Sequence, residues 1–197
     1  MSESAEQSEF GVSGTQIGSR HVESLLERAA RNIPTGPGQP NAADLSRSIS
    51  DTYYALFAYL TEQIAANLIG TADDPSRRMA RNVLCRSVSH TGLATAFRAV
   101  RSGPLRGPLA VGLRNSGQTL PTVPGPALSI AELFLSLREL RGDADYNRNR
   151  RFSKDEVQRY VHLTRETIER FDEVPTADLG RRWFLSLAAV WDGLKSR

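Results

Sequence analysis

The sequence predicts an all-α fold with a helical bundle as its core, and three observations carry that prediction. Apolar residues recur at three- and four-residue steps in about six stretches. No run of strand length alternates apolar and polar residues, and no internal repeat or sustained heptad is present. Proline, glycine or a side chain able to cap a helix stands at each joint between stretches.

In chain order, Val22, Leu25, Leu26, Ala29, Ala30 and Ile33 mark one face of a first helix. PTGPGQP (34–40) ends it. Asn41 or Asp44 can cap a second helix that runs to about Ile69. Its core face is Leu45, Ile49, Tyr53, Leu56, Phe57, Leu60, Ile64 and Leu68, and Gly70 stops it. Asp73, Asp74 and Pro75 open a third helix, which the spacing of Met79, Val83, Ser87, His90, Ala94 and Phe97 extends to about Val100. A connection over 102–127 holds 5 glycines and 5 prolines and has no period. So long a connection in a compact domain is more often functional than inert.

The fourth helix carries Ile130, Leu133, Phe134, Leu137, Leu140 and Ala144 on one stripe. A polar knot, RGDADYNRNRR (141–151), closes it. Ser153 and Glu156 have the spacing of a capping box for a fifth helix, with Val157, Tyr160, Thr164, Ile168 and Phe171 inward. Pro175 breaks the chain, and Asp178 can cap a last helix bearing Leu179, Trp183, Leu187, Val190, Trp191 and Leu194. Both tryptophans lie on nearly one face, which must be covered by the bundle or by another subunit.

Length and composition fit one soluble globular domain: 197 residues, 40% hydrophobic and 24% charged. Residues 1–18 are polar and acidic, read as a disordered tail, and lack the pattern of a secretory signal. No apolar run is long enough to span a bilayer. The single cysteine, Cys85, forms no internal disulfide and reads as a packing residue, which points to a reducing cytoplasm. The net charge of +3 conceals an asymmetry. Residues 1–74 hold 4 basic and 10 acidic side chains, whereas 75–131 hold 8 arginines and no carboxylate. The counter-charge for that segment would be phosphate, the acidic first third or a partner protein. Arginine outnumbers lysine 23 to 2 across the whole chain, which reads as compositional bias more than as a phosphate signature.

The chemistry concentrates in the knot. Arg141, Asp145 and Tyr146 close the fourth helix, with Arg138 one turn earlier and Arg148, Arg150 and Arg151 after it. The bland reading is an Arg141–Asp145 pair at i+4, with Tyr146 capping the bundle. His21, His90 and His162 are scattered, no CxxC or HExxH occurs, and no phosphate-cradling glycine motif is present. No metal or cofactor is implied. His90 reads as a core histidine bonded to a neighbour. Tyr53 lies on the core face, with Tyr54 about 100° round, across a helix–helix seam.

SISDTYYALFAYL (48–60), SVSHTGLATAF (87–97), LRELRGDADY (137–146) and FSKDEVQRYV (152–161) resemble, in order, landmarks of the HEPN-domain family. The similarity covers roughly 20–171 and is closest to the branch whose signature ends in ADY. It implies an up-and-down helical bundle, here with an extra C-terminal helix over 172–197. It also implies a homodimer, RNA or nucleotide binding, and a place in prokaryotic toxin–antitoxin or antiviral systems. A further implication is a partner of the nucleotidyltransferase-type antitoxin class. In HEPN ribonucleases, which need no metal, an arginine holds the scissile phosphate and a histidine handles the 2′-hydroxyl proton. Arg141 fits the first role, but Tyr146 stands where the histidine would be. A phenol is a poor proton acceptor at neutral pH, and a carboxylate beside arginines loses basicity. The expectation is therefore a domain that binds RNA or nucleotide through Arg138, Arg141, Arg148, Arg150 and Arg151. The alternatives are a metal-independent endoribonuclease using Arg141 with Asp145 or Tyr146, and an interaction module for an acidic protein.

Overall fold

A computed structural model describes residues 20–33, 41–101, 120–147 and 149–195. The expected N-terminal tail, the loop at 34–40, most of the 102–127 connection and Arg148 lie outside the described residues. Seven helices and no strand occur among the described residues: α1 (Arg20–Arg31), α2 (Ala42–Ile69), α3 (Pro75–Ser87), α4 (His90–Arg101), α5 (Gly125–Tyr146), α6 (Lys154–Asp172) and α7 (Leu179–Lys195).

The organising element is α2. Its 28 residues span about 42 Å at ~1.5 Å per residue. It packs against α1, α3, α5, α6 and α7. A helix surrounded in this way buries polar positions as well as apolar ones, and each buried polar side chain needs a partner. Ser48 Oγ donates to Ala29 O at 2.9 Å, tying α1 to α2. Thr52 Oγ1 donates to Ser48 O at 2.7 Å. Asp51 accepts from Arg28 Nε at 2.7 Å. Asn41 is the cap, its side chain accepting from Ala43 N at 3.0 Å, and Gly70 ends the helix at φ 85°, which suits glycine.

On α5 the predicted stripe is inward: Ile130, Phe134 and Leu137 are fully buried and Leu133 nearly so. Each such side chain contributes about 1.5–3 kcal/mol by leaving water. The helix begins at Gly125, inside the predicted loop, because Pro124 and Pro126 suit a first turn. On α6, Val157, Thr164 and Phe171 are buried. Ser153 caps it, accepting from Glu156 N at 3.1 Å. The Glu156 carboxylate pairs with Arg150 instead of closing the box.

Three expectations are corrected. The helix predicted from Pro75 to Val100 is two helices, interrupted at Val88 and Ser89. Ser87 Oγ bonds Leu84 O at 2.8 Å, and Ser89 Oγ accepts from Gly92 N at 2.9 Å. These serines take over backbone partners at the end of one helix and the start of the next. The break lets α4 swing onto α5 and α7 with Ala94 and Phe97 buried, while Met79 and Val83 on α3 are 70% and 61% exposed. Secondly, Leu68, the last residue of its stripe, and Ala30, which the buried Ile33 follows, are exposed. Thirdly, α7 turns Phe184, Leu185, Leu187 and Ala188 inward, leaving Leu179 and Val190 exposed and both tryptophans half-buried. The chain's own α2 and α4 receive that face.

Close approach also shapes the start of α7. A Cβ on Gly180 would stand 1.9 Å from Thr122 O and 3.0 Å from Pro124 Cδ. Gly180→Ala would favour a free helix, but here it forces the 120–124 segment away. Chemical denaturation should show a loss of roughly 3 kcal/mol, the upper end for overpacking.

Candidate functional site

Tyr53, Tyr54 and Phe57 on α2 hold His90, the first residue of α4. The imidazole stacks on Phe57 with centroids 3.8 Å apart, and it meets the Tyr54 ring edge-to-face with centroids 5.9 Å apart. Its Nδ1 is 2.6 Å from the Tyr53 hydroxyl. Tyr53 is 2% exposed. Burial, against the opposing pull of Arg138 and Arg141, pushes its phenol up to about 12, so the hydroxyl keeps its proton. With the phenol donating to Nδ1, the hydrogen of neutral His90 sits on Nε2. Burial lowers the His90 pKa below its ordinary value, and the positive charges of Arg141 and Arg138 lower it further. At neutral pH, then, His90 is a neutral ring presenting an N–H.

Arg141, near the end of α5, is fixed from two sides. Its Nη2 donates to the Tyr54 hydroxyl at 3.0 Å, and its Nε stands 2.7 Å from Asp145 Oδ2. The guanidinium carbon lies 5.6 Å from the Tyr54 ring centroid and 5.9 Å from that of Tyr146, within cation–π range. Asp145 uses its other oxygen to accept from Ser50 Oγ at 3.0 Å. Tyr146 does not cap the bundle; it is 78% exposed.

The predicted residues are thus brought together in part. Arg141, Asp145 and Tyr146 form one cluster, and Arg138 joins it through its charge on His90 and Tyr53. Arg150 is drawn elsewhere: it pairs with Glu156 and covers the Phe152 ring at 4.8 Å, beside a second core cluster of Ile33, Leu45, Ile49 and Val157. Arg151 is exposed. Sequence reasoning missed the seating of His90 against Tyr54 and Phe57, within reach of the charges of Arg138 and Arg141, and the bond from Arg141 to Tyr54 across 87 residues. The only signal available was the position of Tyr54 at a seam.

Chemically, the cluster offers two guanidinium groups, an imidazole N–H and an exposed phenol ring. Such groups contact phosphate oxygens and stack on bases. No group of His, Cys, Asp or Glu among the described residues is arranged to hold a metal ion, and no described helix is long and apolar enough to cross a membrane. No protein family's sequence profile matches the chain, and no curated protein or solved structure is significantly similar to it.

Proposed function

We propose that the chain is a HEPN-like helical domain that binds single-stranded RNA or a nucleotide at the end of α5. Arg141 takes a phosphate with Arg138 beside it, and Tyr146 offers a stacking face. The observation that carries the reading is the state of Arg141: its guanidinium is oriented by the Tyr54 hydroxyl and flanked by two tyrosine rings, one of them, Tyr146, largely exposed. His90 adds an N–H donor to the same neighbourhood.

The reading is of a binding domain and not of a nuclease. A ribonuclease needs a proton acceptor near the 2′-hydroxyl. Both oxygens of Asp145 are engaged by Arg141 and Ser50. The Nδ1 of His90 is already bonded to the Tyr53 hydroxyl at 2.6 Å and is not free to take a substrate proton. A homodimer is not required, because the C-terminal tryptophan helix is received by the chain's own α2 and α4.

The test is fluorescence anisotropy with a labelled oligouridylate. Binding should be measurable at low salt and fall log-linearly with salt concentration. It should also strengthen toward acid, in the range below the ordinary imidazole value, because burial and the two arginines hold His90 neutral until then. A bound phosphodiester favours the charged imidazolium, so His90 takes up a proton on binding, and uptake strengthens binding toward acid. RNA suits this test because its phosphodiesters do not titrate in the range. His90→Gln should flatten the pH profile. No binding at low salt sinks the proposal, and a profile unchanged by His90→Gln removes His90 from the site.

A further inference from the structure

A second surface lies on α3. This helix is fixed to the bundle along one face only. Arg81 Nη1 donates to Gly70 O at 2.9 Å and Ala72 O at 3.0 Å, Cys85 Sγ approaches Thr61 O at 3.4 Å, and Leu84 and Val88 pack against the core. None of its residues is buried. The opposite face is a continuous stripe of Pro75, Arg78, Met79, Asn82, Val83 and Arg86, an open face carried by this one helix. Met79 and Val83 sit one turn apart at its centre, exposed, with an arginine toward either end. From Pro75 to Arg101 the chain has six arginines and no carboxylate. Arg86 has no ion-pair partner among the described residues, and Arg78 reaches only the exposed Asp73 at 3.5 Å.

We propose that this stripe docks an acidic amphipathic helix of another protein, one that sets two apolar side chains a turn apart against Met79 and Val83 and carboxylates against Arg78 and Arg86. Charge complementarity selects the occupant. A second copy of this chain would set the same arginines against each other and repel. A bilayer-surface helix needs a broad face of large apolar residues, and α3 offers Met79 and Val83. RNA gains nothing from an apolar pair between the arginines, since the stripe has no aromatic ring to stack on. Two helices that pack face to face match side-chain rows, so an apolar pair at i and i+4 on the partner meets the pair at i and i+4 on α3.

The test uses the full chain and a fluorescein-labelled synthetic peptide of about 16 residues, long enough for about four helical turns. The peptide is rich in glutamate and carries leucine and isoleucine four apart. Anisotropy should give a dissociation constant on the order of 10 µM. Met79→Ser with Val83→Ser should weaken it by about tenfold or more. Arg78→Glu with Arg86→Glu should lose that peptide and gain one in which lysine replaces glutamate. Both double variants should keep wild-type helicity by circular dichroism, and the charge-neutral Met79/Val83 variant should keep wild-type affinity for RNA. Four results overturn the proposal. The first is no binding. The second is equal binding of a peptide of the same composition with the apolar pair moved to i and i+2. The third is loss of RNA affinity in the Met79/Val83 variant, which would assign the stripe to RNA. The fourth is peptide binding only after residues 1–18 are deleted, which would make the chain's own acidic segment the occupant.

Discussion

Arg181→Met should destabilise the protein by about 3–5 kcal/mol, the range for removing one partner from a buried charged network. Arg181 is 3% exposed. Its Nη1 donates to Phe171 O at 3.1 Å and to Val174 O, and its Nη2 donates to Gln63 Oε1 at 2.8 Å. Phe171 and Val174 stand where α6 ends: Phe171 O accepts there from Val174 N at 3.2 Å, and Val174 O lies beyond the last helical turn. A buried cation there satisfies those carbonyls and meets the negative end of the helix dipole. The guanidinium also lies 4.5 Å from the Phe171 ring centroid and 3.7 Å from Asp172 Oδ1. The same carboxylate oxygen accepts from the Tyr59 hydroxyl at 2.5 Å. One side chain therefore joins α2, α6 and α7. Methionine fills a similar volume but removes all three of those hydrogen bonds from a buried junction. In a chain of this size the melting temperature should fall by roughly 10 °C. Arg181→Lys should recover part of that, since a single ammonium cannot serve all three acceptors with a fork's geometry. A loss under about 1 kcal/mol for Arg181→Met would show that Asp178, which caps α7 by accepting from Arg181 N at 2.7 Å, and the apolar packing hold this junction without the side chain.

Nothing in the sequence marked Arg181 as structural, and the reason is general. Periodicity reports apolar faces, so it located the stripes of α1, α2, α5 and α6 and missed a cation turned inward at a junction of helices. Local chemistry was legible wherever partners are near in sequence. Asn41, Ser153 and Asp178 cap as expected, and Arg141 meets Asp145 at i+4. Two kinds of feature were not legible. The spacing of Met79, Val83, Ser87, His90, Ala94 and Phe97 is the same for one straight helix and for two, so the interruption at Val88 and Ser89 depends on which backbone groups the flanking serines take. Contacts between distant segments, Tyr54 with Arg141 and Tyr53 with His90, exist only once α2, α4 and α5 have packed. The break and the site are linked. A helix continued straight past Ser87 would not bring His90 to the Tyr53–Phe57 face in this way.

Arg141→Ala should reduce affinity for single-stranded RNA by about 100-fold, equivalent to roughly 2.7 kcal/mol, within the range for charge-assisted hydrogen bonds to a forked cation. Folding should change by no more than about 1 kcal/mol, because the Arg141–Asp145 pair is partly exposed at a helix end. Arg141→Lys should fall between, keeping the charge without the bidentate geometry. The logarithmic salt slope of the alanine variant should drop by about one, because one phosphate fewer is neutralised and its counterion stays on the RNA. Asp145→Asn supplies the sharper control. Asp145 occupies the guanidinium that a phosphate would need, so removing its charge should raise RNA affinity, by several-fold at low salt. A purely structural arginine predicts the reverse pattern: Asp145→Asn would lower stability and leave RNA affinity where it was. Equal RNA binding by wild type and Arg141→Ala, with both folded, would end the assignment of this cluster as a phosphate site. The α3 stripe would then stand as the remaining basic surface for a partner.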